Sequence, residues 1–221
     1  MKPSLLLSID NGTQSLRAIL FDRHGQIQGK HQISYPPSKQ PAAGQTVQDA
    51  ELYWQTLCDA CHQLWQKGHN PNEVAAISVT SQRGSILPID KNGTPLFPVV
   101  LWTDQRKANQ LSNMPTHWRG LFKLAGVSDT VSEFRSKATC NWLEQHHPEL
   151  NCKIHKWLLL SGYLNYRLTG DFVDSTSSQV GYIPFDYKNL DWASSYSWRW
   201  PALSIKPEHL PKLIASGTPL G

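Results

Sequence analysis

The first 35 residues carry the pattern that most restricts what this chain can fold into. Residues 5–9 form an apolar run that ends at Asp10-Asn11-Gly12, and two further strand-like segments follow at 16–22 and 26–35. The turn Asp22-Arg23-His24-Gly25 separates those two segments. Apolar runs bounded by Asn, Asp and Gly are typical of strands joined by tight turns. The pattern therefore predicts an antiparallel meander of three strands with a sharp first turn.

A helix and a further strand follow the meander. Apolar residues recur at helical spacing between residues 48 and 67, and Gly68 comes next as a stop signal. The short apolar run 74–79 then has the composition of a buried parallel strand. Strands, a helix and then a parallel strand predict an α/β fold, with a mixed sheet that contains the meander and is flanked by helices.

The rest of the chain is less regular. The turn Asp90-Lys91-Asn92-Gly93 separates two more strand patterns. Residues 107–142 predict short helices, and residues 153–168 predict a longer helix. The last stretch, 191–221, is rich in Trp and Pro, and its end, 216–221, has turn chemistry but predicts no closing element.

Composition narrows the class of protein. Of the 221 residues, 39% are hydrophobic and 17% are charged, which favours a globular chain with a core over a disordered one. The net charge is +4 and the basic residues are scattered, so we expect no nucleic-acid partner. Acidic Asp10 follows the first apolar run at once, so we expect no signal peptide and no membrane partner. A cytoplasmic protein with four free thiols is the resulting prediction.

The first turn is the best candidate for a chemical site. In Asp10-Asn11-Gly12-Thr13, a glycine permits a positive φ and close backbone approach, so the amides of Gly12 and Thr13 can point at phosphate oxygens. Asp10 lies at the carboxyl end of a strand and can hold Mg²⁺ through water, since hard cations prefer carboxylate oxygens. The alternative is an ordinary hairpin turn with a satisfied Asp.

Four blocks of sequence, in order, resemble the FGGY family of carbohydrate kinases. The first turn and the strand after it resemble the family's phosphate motif through Asp10, Gly12, Thr13, Ser15 and Arg17. Three later blocks resemble the family's sugar-binding loop, its Trp-x-Asp-x-Arg segment and its "DYL…LTG…D" stretch; they are Ser78-Val79-Thr80-Ser81-Gln82-Arg83-Gly84, Trp102-Thr103-Asp104-Gln105-Arg106, and Gly162-Tyr163-Leu164 with Leu168-Thr169-Gly170 and Asp174. The resemblance covers residues 1–221 as one amino-terminal, sugar-binding domain, and it implies the actin-like, ribonuclease-H-like ATPase fold.

The resemblance also implies roles for individual residues and two cofactors, ATP and Mg²⁺. It assigns the metal to Asp10 and phosphate binding to Gly12, Thr13, Ser15 and Arg17. It assigns the sugar to Gln82, Arg83, Trp102 and Asp104. A buried ion pair is the alternative for Arg83, and core packing is the alternative for Trp102, because aromatic residues dominate cores.

Two departures from the family bear on the substrate. Gly84 stands where glycerol kinases carry Glu, and Gly162 stands where the family carries Asp before Tyr163. Arg83 resembles the polyol-kinase branch, whereas Asp104 resembles the pentulose-kinase branch. The sequence therefore defines the substrate no further than a sugar or polyol.

The resemblance places the catalytic base and the adenosine site outside this sequence. In the family the catalytic base is an Asp in a "GxxD" segment that would lie after Gly221, and the adenosine site lies in the following domain; Asp104 is a weak substitute for the base. We therefore expect a chain truncated before its carboxy-terminal nucleotide-binding domain, binding sugar weakly without turnover.

The expected partners are the carboxy-terminal domain, a sugar or polyol, and ATP. A homodimer is left open. The alternatives are a non-catalytic actin-like binding module and a small hydrolase with Asp10 as nucleophile.

One further motif resembles a haem-attachment site. Cys58-Asp59-Ala60-Cys61-His62 matches the haem-attachment pattern C-x-x-C-H. Both cysteines fall on the apolar face of the predicted helix, and free Cys is commonly buried. We interpret them as core residues rather than as a haem or metal site.

Overall fold

The computed structural model describes residues 4–220, which contain a series of short strands and helices. The strands are β1 (Leu5–Asn11), β2 (Ser15–Asp22), β3 (Ile27–Ser34), β4 (Val47–Gln48), β5 (Val74–Ser81), β6 (Ile86–Ile89), β7 (Val99–Val100), β8 (Lys156–Leu159), β9 (Val173–Ser175), β10 (Phe185–Asp186), β11 (Asp191–Trp192) and β12 (Lys212–Ile214). The α-helices are α1 (Ala50–Gln66), α2 (Thr116–Leu124), α3 (Ser128–Lys137), α4 (Thr139–His146), α5 (Leu160–Thr169) and α6 (Arg199–Ala202).

The predicted meander and mixed sheet are present. The main sheet has the order β3-β2-β1-β5, in which β1, β2 and β3 pair antiparallel and β5 pairs parallel with β1. Alternate side chains of β1 and β2 point into one core; Ile9, Leu16 and Leu20 are fully buried there. This alternation is what a sheet with one covered face requires.

Helix α1 covers the meander. Asp49 precedes it and caps it, since its carboxylate accepts the amide of Glu51 at 3.0 Å. Buried residues of α1, among them Tyr53, Leu57 and Leu64, join the core of the sheet. The helix predicted between residues 48 and 67 is therefore confirmed.

The prediction that residues 74–79 form a buried strand is wrong in one respect. The strand β5 is parallel, as predicted, but it lies at the edge of the main sheet, and Ile77 is 50% exposed. Leu6 of β1, next to buried Leu7, points to the other face of the sheet and is 47% exposed. An apolar run indicates that a segment favours a strand, whereas the burial of its side chains depends on which elements cover the strand.

A second sheet stands beside the first, with the order β4-β7-β6-β8 and antiparallel pairing throughout. It corrects the single helix predicted for residues 153–168. Lys156–Leu159 form β8, which pairs with β6, and α5 begins only at Leu160. A short apolar run fits a strand or a helix equally well, so the pairing with β6 decides between them.

The short helices predicted for residues 107–142 are present as α2, α3 and α4. They pack with residues from the end of the chain in a second core, which includes Trp142, Leu143, Leu203 and Leu210. Residues 216–220 contain no helix or strand, as predicted, but just before them β12 pairs parallel with β9. No helix in the described part of the chain is long and apolar enough to cross a membrane.

Asp174 of β9 is a buried carboxylate that holds α5 and β9 together. It accepts hydrogen bonds from the Ser161 hydroxyl at 2.8 Å, the Gln179 amide at 2.9 Å and the Ser175 backbone at 2.8 Å. A Cβ atom on Gly162 would lie 3.2 Å from the same carboxylate, which is tighter than ordinary van der Waals contact, so the carboxylate would have to shift. Glycine at position 162, where the family carries Asp, thus leaves the Asp174 carboxylate undisturbed.

Burial raises the pKa of Asp174 to about 6, against the opposing effect of its hydrogen bonds. Because the folded pKa lies above the unfolded value, this group favours folding most below pH 4, and that contribution is lost as pH rises through 6. We expect Asp174→Asn, which stays neutral, to gain stability relative to the wild type between pH 4.5 and 7.5, by up to about 3 kcal/mol. Urea unfolding at several pH values tests this; a difference that does not change with pH would contradict it.

Candidate functional site

The turn after β1 and the loop after β5 lie side by side at the carboxyl ends of two parallel strands. The Gln82 amide, just after β5, donates to the Asn11 carbonyl at 2.8 Å. Loops at this end of an open α/β sheet commonly carry the binding site. The first turn and Gln82, two of the predicted site segments, are therefore in direct contact.

The first turn has a different geometry from the one expected for its glycine. Gly12 does not adopt a positive φ, and its N–H donates to the Ser15 carbonyl at 3.0 Å. A Cβ atom at this position would lie 3.3 Å from that carbonyl, so glycine is needed for close approach. The Gly12 amide is thus occupied. Within the described residues, the amides of Thr13 and Gln14 have no protein acceptor.

Asp10 is held by an ion pair on the exposed side of the turn. Arg17 lies opposite it on β2 and donates from Nη1 to the Asp10 Oδ2 at 2.8 Å. Gln32 links Arg17 to the Ser15 hydroxyl, with both contacts at 3.2 Å. Arg17 and Ser15 therefore orient Asp10 and do not point into the turn. With both side chains about 40% exposed, the pair contributes little to stability.

A polar network beneath the turn was not predicted. The Tyr35 hydroxyl donates to Asn11 Oδ1 at 2.5 Å, and the Gln82 amide donates to the Tyr53 hydroxyl at 3.0 Å. The two tyrosine rings meet edge to face with centroids 5.0 Å apart. Burial raises the pKa of both phenols, that of Tyr53 to about 12, so they remain neutral donors. Tyr35 and Tyr53 come from β3's end and α1, which a linear motif does not connect.

Two buried atoms of this network lack partners in the described structure, namely Asn11 Nδ2 and Gln82 Oε1. An unsatisfied buried donor or acceptor costs about 1–3 kcal/mol. The cost is removed if a ligand hydroxyl or an ordered water meets them. Gln82 can therefore accept a hydrogen bond at the position where the resemblance places a sugar.

Trp102 links the loop after β7 to the first turn and to the loop after β5. Its indole Nε1–H donates to the Thr13 hydroxyl at 3.1 Å, and its backbone N–H donates to the Ser85 hydroxyl at 3.2 Å. The residue is 57% exposed, so it does not serve as core packing. Its indole forms a wall against the first turn.

Arg83 and Gly84 form the tight turn between β5 and β6. Arg83 is exposed and makes no ion pair within the described residues, which argues against a buried structural pair. Gly84 has φ +78°, a conformation that side chains rarely adopt. Glycine at this position therefore follows from the backbone and leaves the Arg83 guanidinium open to a ligand.

Asp104 is fully engaged within the protein. Its carboxylate accepts two hydrogen bonds from the Arg106 guanidinium at 2.8 Å, one from the Arg106 amide at 2.9 Å and one from the Thr46 amide at 2.6 Å. Both paired side chains are 3% exposed, and Arg106 lies 4.3 Å above the Trp142 ring. No lone pair of Asp104 is left to accept a proton from a substrate, so Asp104 lacks the geometry of a base.

Trp102 and Asp104 share a cavity of about 490 Å³, whereas Gln82 and Arg83 lie outside its lining. Lys107 and Lys137 also line it, and both contact Glu133, at 2.8 and 3.0 Å. Hydrogen bonds from these two lysines lower the pKa of Glu133 to about 2. The cations of this cavity wall are thus paired with carboxylates. The cluster was not predicted, because its residues come from separate elements.

Comparison with known proteins decides the family. The model of the FGGY family of carbohydrate kinases, N-terminal domain, matches residues 5–221. The chain belongs to the FGGY family. The predicted resemblance is confirmed, and with it the predicted fold class.

FGGY relatives differ in their named substrates. Glycerol kinase from Thermococcus kodakarensis is 32% identical over 192 residues, or 85% of this chain and 38% of that protein. Xylulose kinase from Staphylococcus xylosus is 26% identical over 212 residues, or 96% and 43%. The crystal structure of gluconate kinase from Lactobacillus acidophilus has a TM-score of 0.73 at 25% identity, covering 96% of this chain and 42% of that one. The fold is the actin-like ATPase fold of FGGY kinases.

This FGGY chain spans about two fifths of the length of the curated relatives it matches. Within its described residues, no group of three His, Cys, Asp or Glu side chains is placed to hold a metal. Cys58 and Cys61 lie in α1, where burial raises the pKa of both thiols, that of Cys61 to about 11. Both thiols are half-buried, and Cys61 packs against the main core.

The role of Asp104 in this FGGY chain can be tested by stability. Asp104→Asn removes the charge that pairs with a buried guanidinium, and breaking such a pair costs about 3–5 kcal/mol. We expect the free energy of unfolding, measured in urea, to fall by about 3 kcal/mol. Asp59→Asn, at an exposed carboxylate, is the control and should change it by less than about 0.5 kcal/mol. A loss as small as the control's would contradict a structural role.

The bridge between Trp102 and Thr13 can be tested by amide exchange. Trp102→Phe keeps an aromatic wall but removes the indole donor, so the turn should open more often. We expect faster exchange of the Gly12 and Gln82 amides, by about threefold to tenfold. Trp200→Phe, which removes an indole donor elsewhere, should leave these rates unchanged. Equal rates in Trp102→Phe and the wild type would show that the indole does not restrain the turn.

Proposed function

We propose that this chain supplies the sugar-binding part of an ATP-dependent kinase that phosphorylates a hydroxyl of a sugar or polyol. The observation that carries the proposal is the hydrogen bond from the Trp102 indole to the Thr13 hydroxyl, at 3.1 Å. It joins a turn with open amides to a wall suited to a carbon skeleton. Phosphoryl transfer requires this juxtaposition of phosphate and acceptor, since catalysis is largely positioning and charge stabilisation.

The phosphate side consists of the first turn. The amides of Thr13 and Gln14 would donate to phosphate oxygens, with Gly12 permitting the tight backbone. Asp10 is half exposed beside them and offers the single carboxylate that Mg²⁺ commonly takes from a protein when phosphates and water complete its shell. When bound, Mg²⁺ neutralises the phosphate charge. Arg17 and Ser15 would keep Asp10 oriented until then.

The acceptor side consists of the loops after β5 and β7. Gln82 Oε1 has no partner within the described residues and would accept a hydroxyl hydrogen bond. Arg83 is exposed and would donate to hydroxyl oxygens. Trp102 would cover the carbon skeleton. Asp104 would act indirectly, since its pair with Arg106 holds the loop that carries Trp102.

The remaining partners belong to the proposal as well. ATP, a carboxy-terminal domain that binds it, and a cytoplasmic location are supported by the FGGY family and by the greater length of the relatives. A sugar or polyol is the acceptor, and the relatives named for glycerol, xylulose and gluconate supply the first compounds to test.

Sugar binding is tested by titrating the 221-residue chain with glycerol, D-xylulose and D-gluconate, following its melting temperature and the heat of binding. We expect one of the three to bind saturably. Arg83→Gln should raise its dissociation constant about tenfold or more, because a hydrogen bond to a charged donor contributes about 1.5–3 kcal/mol. Arg23→Gln, at an exposed arginine in another turn, is the matched control. Equal binding in both variants would contradict the site.

Turnover is tested by adding Mg²⁺ and ATP and following ADP release. We expect no sugar-dependent ADP release by the 221-residue chain, because Asp104 is fully hydrogen-bonded and Asp10 is assigned to the metal. Sugar-dependent release would make one of these two carboxylates the base. Absence of both sugar binding and release would favour a non-catalytic binding module.

A further inference from the structure

Helices α2 and α3 enclose a cavity of about 580 Å³ that none of the site residues discussed above lines. Cavities that bind small molecules commonly have volumes of about 300–1,000 Å³. The polar and charged residues of its wall include Thr116, Arg119, Lys123, Ser128, Ser132 and Arg135. No carboxylate is among the residues that line it. The cavity therefore combines a suitable size with one sign of charge.

Two of the three cations stand on the same face of α2. Arg119 and Lys123 are four residues apart, which places them side by side on a helix. The helix contains no Asp or Glu, and neither cation makes a salt bridge within the described structure. Like charges at this spacing destabilise a helix by about 0.2–0.5 kcal/mol. An anion between them would reverse that cost.

The third cation is half-buried and uncompensated. Arg135 of α3 donates from Nη2 to the Ser112 carbonyl, while its Nε is buried without a partner among the described residues. Burial lowers the pKa of Arg135, and no neighbouring carboxylate opposes the effect. A buried charged donor without an acceptor is costly. Its Nε–H is therefore available to an acceptor that the protein does not supply.

The remaining polar groups also suit an anion. The hydroxyls of Thr116, Ser128 and Ser132 line the same cavity. Helix α3 begins at Ser128, and Val127 before it provides no side-chain cap for the first amides. The amino-terminal end of a helix favours negative charge. These groups add to the three cations and do not by themselves define the site.

We propose that this cavity binds a phosphorylated small molecule, at a place separate from the sugar and phosphate-turn site. A phosphate group offers three acceptor oxygens and close to two negative charges, which matches a wall that carries three cations and no carboxylate. The volume exceeds that of free phosphate and leaves room for the organic part of the ester.

The test is calorimetric titration of the 221-residue chain with 3-phosphoglycerate and with inorganic phosphate, at constant ionic strength. We expect saturable binding of 3-phosphoglycerate that is tighter than that of phosphate. Arg119→Gln with Lys123→Gln should raise its dissociation constant about tenfold or more. Lys91→Gln with Lys188→Gln removes the same charge at two exposed lysines elsewhere and should leave binding unchanged.

Further variants separate this site from the phosphate turn and from effects on folding. Thr13→Val should not weaken binding of 3-phosphoglycerate; weakening there and not in the α2 variant would overturn the proposal. Arg135→Lys keeps the charge but loses the planar donor, and we expect a melting temperature close to the wild type with weaker binding. Equal affinity for phosphate and 3-phosphoglycerate, or no saturable binding of the ester, would also overturn it.

Discussion

The parallel pairing of β1 with β5 is the constraint on which the candidate site depends. It brings the ends of two strands separated by some seventy residues into register, with Asn11 opposite Ser81. The hydrogen bond from the Gln82 amide to the Asn11 carbonyl then continues the ladder into the loops. Because parallel strands require a crossover, α1 must lie between them in sequence, and it packs on the meander and contributes Tyr53. One pairing thus sets both the core and the polar network beneath the turn.

The buried pair of Asp104 and Arg106 has a similar role on the other side of the site. Removing two charges from water is costly, and the cost is offset here by four hydrogen bonds to Asp104 and by the Trp142 ring below Arg106. The pair connects the loop after β7 to Thr46 and to α4, so it fixes where Trp102 stands. A motif residue that the family resemblance assigned to the substrate therefore serves, in this chain, to position its neighbour.

Much of the amino-terminal half was predictable because its local signals agree with its tertiary contacts. Turn residues bound the three strands of the meander, and the helical period between residues 48 and 67 matches α1 closely. The prediction was wrong at Lys156–Leu159, where an apolar run fits a strand or a helix and only the pairing with β6 decides between the two. The prediction was also wrong at β5, where Ile77 is exposed because the strand lies at the edge of the sheet within the described residues.

By itself, the sequence determined the family, the order of the main elements and the first turn with Gln82, Arg83 and Trp102 as site candidates. Those inferences depend on residue type and local spacing, which a linear pattern contains. Tertiary structure alone decided that Gly12 serves close approach without a positive φ and that Asp104 is bound to Arg106. It alone brought Tyr35 and Tyr53 together, and likewise the three cations Arg119, Lys123 and Arg135. The reason is physical: hydrogen bonding and burial depend on distances between residues far apart in the chain, and only the packed fold sets those distances.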